Sequence, residues 1–228
     1  MKNWTTSKKI LIWGGISVIS MVGIAFLIWN KTPFKKRLVD VANGEWKLFG
    51  YQTIEKDGKL SRIGTKENTD GWSKRVGDYW GSVGSSLDGK DRGVPWSSAF
   101  ISFVMATAGN PFGIPFRKSS AHNKYIREYI ANRKEGRLNA AFVGYRIDEV
   151  SPKVGDLVCY GRDGQGGYDA TNSYKGHCDI VVAKRPGEIE AIGGNVSDSV
   201  TKRILSTDKK GRLIDRNNNW FAVIKNNA

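Results

Sequence analysis

A change of hydrophobic period near residue 140 constrains this chain more than any other feature. Beyond that point apolar residues fall at every second position, in the runs AFVGYRI, GDLVCY, HCDIVVA, EIEAIGG, VTKRIL and WFAVIK. Gly, Pro, Asp and Asn clusters separate these runs, which is how short strands are punctuated. Ahead of residue 140 the spacing is helical instead: residues 39–49, 72–83 and 119–133 carry apolar side chains three and four apart, and Ser119 or Ser120 stands where a cap for the last of them belongs. The most apolar helical stretch is PWSSAFISFVMATAGN, residues 95–110, with Phe100, Phe103, Val104 and Thr107 on one face and Gly109-Asn110-Pro111 as its stop. Helices first and strands afterwards predict an α+β domain, its N-terminal helices packed on a mostly antiparallel sheet.

Residues 10–29 contain no charge, and 20 residues of helix span about 30 Å of hydrocarbon. Trp13 and Trp29 lie towards the ends, where indoles favour the headgroup region, and no small-x-small cleavage site follows. The expected organisation is one uncleaved transmembrane helix with a basic linker, residues 1–37, followed by a globular domain over 38–228. Lys2, Lys8 and Lys9 on one side oppose Lys31, Lys35, Lys36 and Arg37 on the other, so charge leaves the topology close to a tie.

The net charge of +14 divides evenly: those seven basic residues, with no acid among residues 1–37, supply half of it. The remainder is scattered, without the basic stripe of a nucleic-acid footprint, and suits an anionic polymer such as bacterial cell wall, or a phospholipid surface. Cys159 and Cys178 are too few for a disulfide scaffold. Each sits in a strand-like run, so they either pair across neighbouring strands or stay buried as thiols.

Chemistry gathers at three places. Ser97 lies at the start of the apolar helix, where it is either a nucleophile or a helix cap, with Ser98 an equal candidate for the cap. His177 opens HCDIVVA, with Asp179 two residues on and therefore on the same side of the strand. Asn195 ends the next run, EIEAIGGN, and either orients the imidazole or makes a turn. Together these are the parts of a nucleophile–base–orienter site. The other histidine, His122, belongs to a helix and either lines the same groove or packs. Trp96, Tyr79 and Trp80 form either a substrate-facing aromatic wall or core. Glu45 has no second carboxylate spaced for glycoside hydrolysis, and no metal-ligand set or cofactor motif is legible.

The order PWSSAFISFVMATAGN, GDLVCY, GHCDIVVA, IGGN resembles the papain-like CHAP group of cysteine, histidine-dependent amidohydrolases/peptidases, closest to a branch of bacterial and phage domains without assigned function. The resemblance implies a papain-like fold, with Ser97 in place of the family's cysteine, His177 as base, Asn195 or Asp179 as orienter, and Gly155-Asp156 as the strand-leading turn. It implies hydrolysis of peptidoglycan amide bonds by a peptidase or amidase. Because Ser97 is a hydroxyl, His177 must take its proton during attack. The implied setting is a single-pass inner-membrane protein with its domain in the periplasm or outside the cell. The alternatives are an inactive homologue that binds cell wall or a partner protein, and a membrane-tethered phage endolysin.

Overall fold

The computed structural model describes residues 28–228. Apart from its last two residues, the expected membrane span lies outside them. Among the described residues no helix is long and apolar enough to cross a membrane. Residues 34–228 form one compact unit. Its elements are α1 (Phe34–Leu48), β1 (Gln52–Ile54), β2 (Leu60–Arg62), α2 (Trp72–Gly81), α3 (Ser97–Gly109) and α4 (His122–Lys134), then β3 (Phe142–Arg146), β4 (Leu157–Gly161), a 3₁₀ turn (Arg162–Gly164), β5 (Gly176–Arg185), β6 (Glu188–Val196), β7 (Ser199–Ser206) and β8 (Asn219–Asn226).

The strands make one eight-stranded sheet in the order β2-β1-β7-β6-β5-β4-β8-β3. The expected fold class needs correcting. The sheet is mixed, because β1 runs parallel to β7 while the other pairs are antiparallel. In addition, the described chain shows an α+β domain without the preceding membrane helix. β1 and β2 went unpredicted because three-residue strands are too short to display a period. Gln52 holds β1 in place: its side-chain amide donates to Thr201 Oγ1 (2.7 Å) and to the Val196 carbonyl (3.0 Å).

The central strands are buried on both faces. Leu157 and Cys159 of β4 join Cys178, Ile180 and Ile192 in the larger core beneath the helices, while Val158 and Tyr160 join Val181, Ala191, Trp220 and Val223 in a second core. Cys159 and Cys178 are directly opposed in the β4–β5 register and form a disulfide, with Cα atoms 4.1 Å apart. The Gly155-Asp156 turn leads β4 as expected. Gly155 takes a left-handed φ of 90°, and buried Asp156 accepts the backbone N–H groups of Lys153 (2.7 Å) and Asn226 (3.0 Å), fastening β4 to β8.

α3 is the central helix. Ser97 through Ser102, Val104, Met105, Ala108 and Gly109 are all buried, so it is apolar nearly all round and not, as expected, on one stripe. Arg37 of α1 ties down its far end, donating to the Ala108 carbonyl at 2.7 Å. The other end of α3 carries the candidate nucleophile.

Candidate active site

Trp96, not Ser97, caps α3, and it makes no side-chain capping bond. Trp96 instead anchors the helix start by packing its indole against Phe49, Tyr79 and Phe100, while its ring N–H donates to the Glu67 carboxylate. Ser97 is therefore the first helical residue, and its hydroxyl is not used in capping. The N–H groups of the first turn lack helical acceptors and carry the positive end of the dipole, a ready environment for a developing oxyanion.

The Ser97 Oγ lies 2.7 Å from Nε2 of His122, the first residue of α4. Neighbouring hydroxyls set this distance. Ser98 Oγ donates to the Ser119 carbonyl (2.7 Å), and Ser102 Oγ accepts the Ser119 backbone N–H (3.1 Å). These bonds lash the segment entering α4 onto α3 and bring His122 to Ser97. The other ring nitrogen, Nδ1, is hydrogen-bonded to the Tyr125 hydroxyl one turn along α4. Ser97, His122 and Tyr125 thus form an unbroken line of three polar groups, all buried.

A second pair lies alongside, with the two imidazole centroids 5.2 Å apart. His177 Nδ1 accepts from Arg162 Nη2 at 2.8 Å, which leaves Nε2 to carry the proton and donate it to Asp179 Oδ1 at 2.7 Å. Asp179 Oδ2 faces Arg203 Nη1 of β7 at 3.3 Å, and Arg203 Nη2 donates to the Tyr160 hydroxyl at 3.1 Å. Glycine in the IGGN run makes this packing possible. A Cβ on Gly193 would meet Asp179 Oδ1 at 1.8 Å, and one on Gly194 would meet the Phe100 and Trp96 rings within 2.6 Å.

Electrostatics keep both imidazoles neutral. Burial lowers His177 to about 4; Asp179 partly opposes this, while Arg203 and Arg162 add to it. His122 is held well below its usual value by burial, then by His177 and Arg162. Burial alone would raise Asp179, but Arg203 and His177 outweigh it and leave the carboxyl ionised below its ordinary range. Tyr125, pushed up by burial, stays protonated. A neutral imidazole against a serine hydroxyl is the protonation state a general base requires.

Ser97 and His122 face a cavity of about 530 Å³ that Ser173, Tyr174 and Lys175 also line. A second cavity, about 720 Å³, lies against Tyr160, Asn195 and Arg203. Arg162 and Asp163 border both.

Of the residues expected from sequence, Ser97, His177 and Asp179 come together, and His122 joins them in direct contact with Ser97. Asn195 does not bond His177; its side-chain amide donates to Glu67 Oε2 at 2.8 Å, and it borders the second cavity with a left-handed φ of 54°. Trp96, Tyr79 and Trp80 are core, not an aromatic wall: all three are buried in the larger cluster, where Tyr79 packs against Phe49, Trp96, Phe100 and Phe103. Glu45 accepts the Tyr79 hydroxyl (2.6 Å) and Arg75 Nε (3.0 Å), which is structural work. Sequence alone did not single out Tyr125, Arg162, Arg203 or Glu67. Tyr125 follows His122 by three residues on a helix, a spacing that could have been noticed; the three others reach the site only through tertiary folding.

Among the described residues no group of three or more His, Cys, Asp and Glu is placed to hold a metal ion. A family model described as an uncharacterized protein conserved in bacteria, DUF2272, matches residues 55–225, a span that includes every residue of the site. No curated protein and no solved structure matches the chain.

Proposed function

The chain belongs to the bacterial DUF2272 family, and from that premise and the site geometry we propose that it is a hydrolase of amide bonds in cell-wall peptides, with Ser97 as nucleophile and His122 as its base. The observation that carries this is the 2.7 Å contact between Ser97 Oγ and His122 Nε2 at the start of a buried helix, facing a cavity. In the tautomer with Nδ1–H donated to Tyr125, Nε2 takes the Ser97 proton as Oγ attacks the substrate carbonyl. First-turn N–H groups of α3 hold the oxyanion. His122 then protonates the departing amine, and water, deprotonated by the same nitrogen, hydrolyses the acyl-enzyme.

Peptidoglycan as substrate rests on the resemblance of the motif order to CHAP amidohydrolases and on the chain's positive charge, which suits an anionic polymer. The Cys159–Cys178 disulfide supports an oxidising, extracytoplasmic setting. Purified sacculi incubated with the protein should release new amino groups and muropeptides, and Ser97→Ala should abolish release. Unaltered release by Ser97→Ala would overturn the assignment.

A second reading is a binding protein derived from an enzyme. The Arg162 guanidinium, which occupies the space between Ser97 and His177, favours it. Sacculus binding retained with no bond cleaved by the wild type or by Ser97→Cys would support it.

A further inference from the structure

Arg162 is poorly accounted for by the fold. Its guanidinium lies at the wall shared by the two cavities, with Nη2 2.8 Å from His177 Nδ1 and 3.4 Å from Ser97 Oγ. Its Nε is buried without a hydrogen-bond partner. No carboxylate among the described residues forms an ion pair with it, because the nearby acids are engaged: Asp179 faces Arg203 at 3.3 Å, and Asp163 faces Lys175 at 3.5 Å. Half-buried, with one imidazole and one hydroxyl as its neighbours and no carboxylate paired to it, the guanidinium is an incomplete arrangement, since a charge partly withdrawn from water is most stable when a counter-charge meets it. Its planar fork fits a carboxylate bidentately.

We propose that Arg162 receives the free α-carboxylate of a substrate's C-terminal residue, and that forming this ion pair draws the guanidinium off His177 Nδ1. The inference rests on the hydrolase reading and narrows it to removal of a C-terminal amino acid. Spacing selects that residue. The carbonyl carbon under attack and the α-carboxyl carbon of the leaving amino acid are three bonds apart, about 3–4 Å, and nucleophile and guanidinium are separated by a similar span. A carboxylate several residues away would lie outside this reach. With Arg162 withdrawn, His177 Nδ1 presents a free lone pair towards the scissile bond, and Asp179 already holds the proton on Nε2.

Two measurements test this. Acetylated dipeptides ending in D- or L-alanine are compared with the same peptides ending in alaninamide, for wild type, Arg162→Lys and Arg162→Met. Wild type should favour the free acid by about 10- to 100-fold in kcat/KM, mostly through KM, as expected for a charged hydrogen-bonded pair. Arg162→Lys should keep part of that preference, and Arg162→Met should bring the ratio near one. Equal cleavage of acid and amide by wild type, or an undiminished preference in Arg162→Met, would overturn the proposal and leave the hydrolase reading intact.

The second measurement does not depend on turnover. In full-length Ser97→Ala labelled with ¹⁵N-histidine, N-acetyl-D-alanine or N-acetyl-L-alanine should move the His177 Nδ1 resonance as its arginine partner leaves, and N-acetylalaninamide should not. A resonance unmoved by both acids overturns the proposal even if peptides are cleaved. A shift with no cleavage of any peptide or of sacculi retains Arg162 as a carboxylate receptor and removes the hydrolase reading.

Discussion

His177 and Asp179 stand two residues apart on the same side of β5, Nε2 and Oδ1 separated by 2.7 Å, both fully buried. An ionised carboxylate there would ordinarily raise its histidine. Burial and the two flanking arginines prevail, and the imidazole titrates at about 4. Unfolded, the same side chain takes up its proton near pH 6.5. Between those values the unfolded chain binds more protons, so stability is full above pH 6.5 and declines as pH falls towards 4, by up to about 3 kcal/mol from this residue. His122 acts in the same direction. Asp179, shifted down, loses its contribution only at still lower pH. Urea unfolding at pH 7.5, 6 and 5 should show the midpoint falling; a flat profile would contradict it.

The two histidines should separate kinetically. His122 touches the nucleophile directly, whereas Arg162 covers the near nitrogen of His177. His122→Gln should therefore lower kcat for muropeptide release by about 10²- to 10⁴-fold, the usual scale of general-base catalysis. His177→Gln should cost less. The opposite ranking would return the base to His177.

Gly193→Ala should damage the site without altering any polar group. The added methyl would overlap Asp179 Oδ1 and crowd His177 Nε2, and such overpacking costs about 1–3 kcal/mol. Calorimetry should show the loss of stability. A wild-type melting temperature would mean that β6 moves aside freely.

Replacing both Cys159 and Cys178 by alanine opens a loop with a sequence separation of 19, for which about 3 kcal/mol of stabilisation is expected. Guanidinium unfolding of the double variant beside oxidised wild type measures this, and equal midpoints would show the bond to be dispensable.

Much of this architecture is legible from hydrophobic period. The runs containing Phe142, Leu157, His177, Ile189, Val200 and Trp220 became β3 to β8, because alternation over five or more residues has few other solutions. The parallel β1–β7 pair escaped because its partner strand is three residues long and held by Gln52, a polar side chain. At the site, Ser97 and the His177–Asp179 pair were readable from local cues, a helix start and an i, i+2 strand spacing. The Ser97–His122 contact was not, since it depends on Ser98 and Ser102 holding Ser119 against α3. Of the two expectations for Asn195, an orienter or a turn, its left-handed φ of 54° matches the turn. Its partner Glu67 is distant in sequence, and nothing local distinguishes an amide that holds a carboxylate from one that holds an imidazole.

The cross-strand disulfide bears on speed as well as strength. Cys159 lies three residues before Arg162 and Cys178 immediately after His177, so the bond joins the backbones carrying the guanidinium and the imidazole it covers. Strand separation, a motion of microseconds or longer, is thereby closed as a route for uncovering His177. What remains is rotation about the bonds of one arginine side chain, a picosecond-to-nanosecond event when unhindered. If Arg162 uncovers His177 as proposed, it does so by turning its own side chain and not by opening the sheet.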